Sequence, residues 1–216
     1  MWWTSWLLYD PKIYIARHGE TEGILANRME SRLDSPLTDM GLKQAFALES
    51  RLKDIPFTKI YSSPSQRAVR TASIIKGNQS IDIILDDHLY ELDIAGWDGR
   101  TRDDVAQADP VLFEQFTNHP ELFHPAQGES FQDLQKRVIT FVTSIQVKHA
   151  EETILIVSHS GVIKMILDFV ESKPLSEYRK RHSIPNGGLS IVRIEEHESI
   201  VELEADVQHL QDLIMA

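Results

Sequence analysis

The sequence predicts an α/β fold, a layered sandwich of strands and helices. Three observations predict it. Short Ile/Val-rich runs alternate along the chain with segments of helical periodicity, the pattern of βα units. Several of the runs lack strict polar alternation, as strands covered on both faces do. The chain has 216 residues, 42% of them hydrophobic, which suits one domain with a sizeable core and a small insertion.

The strand candidates are 12–16, 58–61, 81–85, 153–158, 188–194 and 199–204. The first helix opens at Thr38-Asp39-Met40-Gly41 and runs to about Lys53, with Leu42, Ala45, Leu48 and Leu52 on one face. Pro64 sits near the first turn of the next, a position proline favours; that helix carries Arg67, Ala68, Thr71, Ala72 and Ile75. A third begins near Thr101. A long one spans about Ser130 to His149, with Leu134, Val138, Phe141, Val142 and Ile145 at helical spacing. Another follows Gly161. At the end, Val207, Leu210, Leu213 and Ile214 predict a C-terminal helix within 205–216. It either docks on the domain or pairs with a second chain as a homodimer.

Residues 105–128 are dense in phenylalanine, histidine and proline. They read as a helical excursion with an irregular return. It either lies over a site and sets specificity or is a connector that packs its phenylalanines into the core.

Composition excludes several classes of function. The net charge of −11 argues against general nucleic-acid binding, which needs surface Lys and Arg. It also argues against adsorption to anionic membranes. An anionic substrate must therefore meet a local basic pocket. There is no cysteine, so disulfides, thiolate catalysis and Cys-based metal sites are excluded; the absence fits a cytoplasmic location. The apolar opening Met1-Trp2-Trp3-Thr4-Ser5-Trp6-Leu7-Leu8 lacks the basic region and cleavage site of a signal peptide. It is also too short to span a bilayer.

Chemistry gathers at the strand ends. Arg17-His18-Gly19 follows Ile13-Tyr14-Ile15-Ala16, and Ser158-His159-Ser160-Gly161 follows Ile154-Leu155-Ile156-Val157. The carboxyl edge of an open α/β sheet is where ligands bind. Arg67 and Glu91 lie between these units. Two histidines, two arginines and a glutamate suit work on a phosphate, which needs charge neutralisation, an in-line nucleophile and an acid for the leaving oxygen. Arg17 and Arg67 supply forked donors to phosphate oxygens, and His159 adds a third. His18 is the nucleophile, giving a phosphohistidine through one ring nitrogen. A backbone carbonyl is expected to fix the other. Glu91 is the general acid, then the base that activates water. Gly161 and the following helix offer backbone N–H groups to the anion. No metal and no cofactor is needed. Ser158 and Ser160 read as supporting polar groups, Ser62 and Ser63 as pocket lining, Trp97 as packing, and Arg100 and Arg102 as surface charges.

These residues carry a family resemblance. The chain resembles the histidine phosphatase superfamily, also called phosphoglycerate-mutase-like. The matching stretches are Arg17-His18-Gly19-Glu20-Thr21, Asp34-Ser35-Pro36-Leu37-Thr38 with Gly41, and Ser62-Ser63-Pro64 with Arg67 and Thr71-Ala72. They continue through Glu91 with Gly96-Trp97-Asp98-Gly99, Gly128-Glu129-Ser130, Ser158-His159-Ser160-Gly161 and Asn186-Gly187. The order is the family's, over about residues 12–195. The resemblance implies a three-layer αβα sandwich with a mostly parallel central sheet and a helical lid-like insertion at about 100–130. It also implies a phosphohistidine at His18. There are departures. Family members often carry Asn where this chain has Ile24, and Gln-Gly or Thr-Gly where it has Glu30-Ser31. No phosphate role is carried onto Asn27.

Three functions compete. A metal-independent phosphatase of small phosphomonoesters is preferred. A phosphoglycerate mutase would use the same core, but such mutases resemble Glu-Arg-His-Tyr-Gly at the acid, where this chain reads Glu91-Leu92-Asp93-Ile94-Ala95. The carboxylate-binding groups are missing there and an extra negative charge is present. A non-catalytic module binding phosphate esters or phosphoprotein would have no need of Glu91.

Overall fold

The computed structural model describes residues 12–149, 151–194 and 199–214. The Trp-rich start, Met1 to Leu8, lies outside the described residues. Strands β1 (Lys12–Arg17), β2 (Lys59–Ser62), β3 (Ile83–Leu85), β4 (Ile154–Ser158), β5 (Leu189–Ile194) and β6 (Ser199–Asp206) form one sheet in the order β3-β2-β4-β1-β5-β6. The β2–β3, β2–β4 and β1–β4 pairings are parallel, whereas β1–β5 and β5–β6 are antiparallel.

The helices are α1 (Glu22–Leu25), α2 (Asp39–Leu52), α3 (Gln66–Lys76), α4 (Arg102–Ala108), α5 (Pro110–Asn118), α6 (Phe131–Lys148), α7 (Ser160–Val170) and α8 (Gln211–Ile214). Their starts follow local chemistry. Thr38, Thr101 and Ser130 cap α2, α4 and α6 through their side-chain oxygens, and Ser130 with Asp133 completes a capping box.

Two cores make the three layers. Ile13, Ile15, Ile154 and Ile156 pack with α6 and α7 on one face. Ala16, Leu155 and Val157 pack with α2 and α3 on the other. Alternate residues of the central strands β1 and β4 thus go to opposite buried faces, which is why their sequence runs show no polar alternation.

Two boundaries differ from the sequence reading. Pro64 lies outside α3; Ser65 is the cap position, and the Gln66 N–H is held instead by Asp34 Oδ2 at 2.8 Å. The C-terminal helix does not cover 205–216. Ala205 and Asp206 end β6, a 3-10 turn spans Gln208–Leu210, and α8 is only Gln211–Ile214. The reason is anchoring on α2: Arg51 pairs with Asp206 and lies 2.8 Å from His209 Nδ1. Leu210 is buried, so this segment docks on its own chain.

The excursion resolves into α4, α5 and a 3-10 turn at Pro120–Leu122. Phe113, Phe116 and Phe123 join Trp97, Phe131 and Tyr178 in one aromatic cluster with ring centroids 5.1–6.3 Å apart. Among the described residues, no helix is long and apolar enough to cross a membrane.

Candidate active site

Register places the two histidines side by side. In the parallel β1–β4 pair, Arg17 faces Ser158. The next residues, His18 and His159, therefore leave neighbouring strand ends together. The His18 N–H donates to Ser158 O at 3.1 Å, and the imidazole centroids are 5.0 Å apart. β1 leads to β2 on one side of the sheet and β4 leads to β5 on the other, so the pair sits at the topological switch point.

Nδ1 of His18 lies 2.8 Å from Gly19 O. A carbonyl only accepts, so Nδ1 carries the proton and Nε2 keeps the lone pair. Burial and then the charges of Arg17 and Arg67 hold the His18 pKa well below its usual range. The ring is neutral near pH 7. The loop around it is tightly packed. A Cβ on Gly41 would lie 2.0 Å from Glu20 O, so glycine is required where α2 begins. Thr71 of α3 accepts from the Gly19 N–H at 3.2 Å.

His18 opens on a cavity of about 320 Å³, whose wall includes Arg17, Glu91, His159 and Gly161. Arg17 donates to Ile184 O at 2.5 Å, while its buried Nε has no partner. Burial lowers the Arg17 pKa to about 10, so it stays charged. Glu91 accepts from the Leu92 N–H at 2.8 Å and from the Gly161 N–H at 2.9 Å. This corrects the expectation for Gly161: its amide is taken by the Glu91 carboxylate and is not free for a phosphate. A Cβ at Gly161 would come within 2.2 Å of Glu91 Oε1, so glycine there makes room for the acid.

Arg67 also differs from expectation. It is buried and absent from the cavity wall. Its guanidinium donates to Asp34 Oδ1 at 2.7 Å, to Leu33 O at 3.0 Å and to Ser31 O at 2.8 Å. Nη2 also lies 3.3 Å from His159 Nδ1. His159 is held on its other side by Ser63 Oγ, 2.8 Å from Nε2. Both ring nitrogens are thus engaged, and burial followed by Arg67 keeps this ring neutral as well. A guanidinium only donates, so Nδ1 accepts from Arg67 and Nε2 carries the proton, which it gives to Ser63 Oγ. If Arg67 turns to an anion, Ser63 can donate to Nε2 instead, and Nδ1 then carries a proton towards the same anion.

The two departures, Glu30 and Ser31, build local structure. Glu30 accepts from Thr21 Oγ1 at 2.5 Å and from Ser35 Oγ. Ser31 Oγ donates to Leu92 O at 2.6 Å. Ile24 and Asn27 line the cavity, Asn27 in the left-handed region at φ 56°. Ser158 Oγ donates to Leu89 O at 2.7 Å, the supporting role expected. Trp97 packs in the aromatic cluster and donates from Nε1 to Asp109 at 2.9 Å.

Sequence reasoning missed several residues. Arg137 on α6 grips Glu129 at 2.8 and 2.9 Å and donates to Glu91 O at 3.1 Å, fixing the backbone that carries the acid. Lys164, Arg179 and Arg102 line the cavity, so Arg102 is not merely a surface charge. Asp93, read as an added charge in the site, is off the cavity wall. It turns to the Ala95 N–H at 2.9 Å and towards Arg32 at 3.8 Å. Helical spacing marks Lys164 only as an interior position of α7, and Arg179 sits in a 3-10 turn, Leu175–Lys180. Neither stands in a motif.

A family model for the histidine phosphatase superfamily, branch 1, matches residues 13–206. The chain belongs to this superfamily. Phosphoserine phosphatase 1 of Hydrogenobacter thermophilus is 27% identical over 190 residues, 88% of this chain and 90% of the relative. Phosphoglycerate mutase-like protein 4 of Arabidopsis thaliana is 29% identical over 205 residues, covering 93% and 87%. The solved structure of Bacillus stearothermophilus YhfR superposes with a TM-score of 0.89 at 35% identity, covering 93% of this chain and all (100%) of that one. The histidine phosphatase architecture thus accounts for the sandwich.

Proposed function

We propose that this histidine phosphatase hydrolyses small phosphorylated metabolites without a metal, through a phosphohistidine at His18. The observation that carries the reading is the state of His18: neutral, with Nδ1 committed to Gly19 O and Nε2 left nucleophilic on the cavity wall. Nε2 attacks phosphorus, a P–N bond forms and the ester P–O bond breaks. Protonated Glu91 delivers its proton to the departing alkoxide. As carboxylate it then takes a proton from the water that attacks the phosphoenzyme, and the P–N bond breaks to release phosphate. Arg17 neutralises the transferring oxygens, and the neutral His159 ring donates an N–H to them once Arg67 releases Nδ1. Arg67 supplies field and holds His159, and reaches a phosphate oxygen only by giving up its long 3.3 Å contact to that ring. The arginines do the electrostatic work of a metal ion.

The whole chain is read as one domain, with 100–130 as the segment over the site: Arg102 and Phe116 from it line the cavity. The absence of cysteine suits a cytoplasmic enzyme. The relatives, a phosphoserine phosphatase and a phosphoglycerate mutase-like protein, favour a compact phosphorylated metabolite. Hydrolysis is preferred over mutase chemistry because Leu92 and Ile94 follow the acid on the cavity wall.

The test is hydrolysis of para-nitrophenyl phosphate by the wild type and His18→Ala, both in EDTA. Turnover that vanishes in the variant supports the reading. A variant with near-normal turnover removes His18 as nucleophile. Transfer to phosphoglycerate from 2,3-bisphosphoglycerate that outpaces hydrolysis would establish the mutase instead.

A further inference from the structure

The cavity wall carries Arg17 beside His18, and it also carries Lys164 and Arg179; Glu91 lines the same wall. Lys164 lies three residues along α7 from Gly161, whose N–H holds Glu91, so about one helical turn separates it from the amide that positions the acid.

Lys164 is 5% exposed, and among the described residues its ammonium makes no hydrogen bond or ion pair. A buried charge without a partner is costly. Its natural partner would be Asp168, one turn on in the same helix, where Oδ2 is buried and unpartnered. The side chain does not go there. Nζ sits 4.1 Å from the Tyr178 ring centroid, and Lys164 lines the cavity. Arg179 flanks it, donating from Nη2 to Phe116 O while its buried Nε lacks a partner. A buried lysine and a partly buried arginine, both with spare donors, therefore meet on one cavity wall. Aromatic rings around them exclude water, which strengthens any ion pair formed there.

We propose that Lys164 and Arg179 form a second anion subsite that receives a carboxylate, so that the substrates are phosphomonoesters of small hydroxy acids or amino acids. The inference rests on the phosphatase reading and adds the second recognition point. A carboxylate offers two acceptor oxygens, one for the ammonium and one for the guanidinium. This subsite is built on α7 and the 3-10 turn after it, not on residues 92–94.

The experiment compares O-phosphoserine with O-phosphoethanolamine, which keeps the phosphate and ammonium and lacks only the carboxylate. In the wild type, kcat/KM is expected to favour phosphoserine by about ten-fold or more. The ratio should fall to about one in Lys164→Met, mainly through KM, and recover in part in Lys164→Arg. Methionine keeps the length and apolar stem of lysine. A wild-type ratio near one, or a ratio unchanged in Lys164→Met, overturns the subsite and leaves the phosphatase standing. If neither compound nor para-nitrophenyl phosphate is hydrolysed, the phosphatase reading fails instead. Calorimetric titration of both compounds into His18→Ala then decides the subsite: about ten-fold tighter binding of phosphoserine supports it, and equal binding overturns it.

Discussion

The Glu91 carboxylate sits in the space that a side chain at Gly161 would occupy, 2.2 Å from where its Cβ would be. The acid therefore depends on a residue with no side chain. Gly161→Ala should expel Glu91 and copy the kinetic signature of Glu91→Gln. Both variants should lose far more rate on alkyl phosphates than on aryl phosphates, whose leaving groups need little protonation. Equal losses on both substrate types would show that Glu91 is not the leaving-group acid.

Arg67 bridges two roles, and its replacement should reveal both. Arg67→Ala removes the partner of Asp34 and the neighbour of His159. The expected loss in kcat is about 10²–10³-fold, the size seen for one preorganised donor, together with lower stability in urea. Arg67→Lys should recover little, because one ammonium cannot serve Asp34, Ser31 O and His159 in a fixed fork. Full kcat in the lysine variant would reduce Arg67 to a point charge.

Arg137 never touches the cavity, yet it ties Glu129 to the backbone of Glu91. Burial works to raise the Glu129 pKa; the hydrogen bonds and charge of Arg137 outweigh it, and the net shift is downward. Arg137→Met should cost about 1–3 kcal/mol in urea unfolding by taking from that half-buried carboxylate its two shortest charge-assisted hydrogen bonds. It should also lower kcat with little change in KM. Unchanged kcat would separate this network from the acid.

Stability should fall as pH drops. His18 and His159 have folded pKa values held well below 6.5, and His209 is lowered too. Unfolded histidines protonate near 6.5, so the unfolded state binds more protons below that pH. Their contribution is complete above about 6.5 and declines below it, by up to roughly 1.4 kcal/mol per pH unit for each histidine. Thermal unfolding between pH 7 and 5 checks this. A Tm indifferent to pH in that window would mean the pair is charged when folded.

Much of this was legible in the sequence. The central strands were, because short Ile/Val runs buried on both faces read as strands at that length, and the edge strand β6 was through the alternation of Val201, Leu203 and their exposed Glu neighbours. His18, His159 and Glu91 were, because they stand at strand ends or in motifs. The Gly19 carbonyl under Nδ1 was foreseen in kind. What escaped was long-range: Gly161 gives its amide to Glu91 seventy positions earlier, and Asp34 caps α3 across thirty-two. Lys164 escaped because a lysine inside an amphipathic helix is ordinarily a solvated charge. Only packing shows that this one is enclosed.

Phe116 and Phe131 belong to the cavity wall and to the aromatic cluster that fixes the excursion to the body of the protein. A mutation that reshapes the wall at either ring also loosens that joint. Selection for a new substrate at these positions would therefore first meet a loss of folded protein. Exposed Arg102 carries no such burden, so the rim of the excursion is where specificity is free to drift.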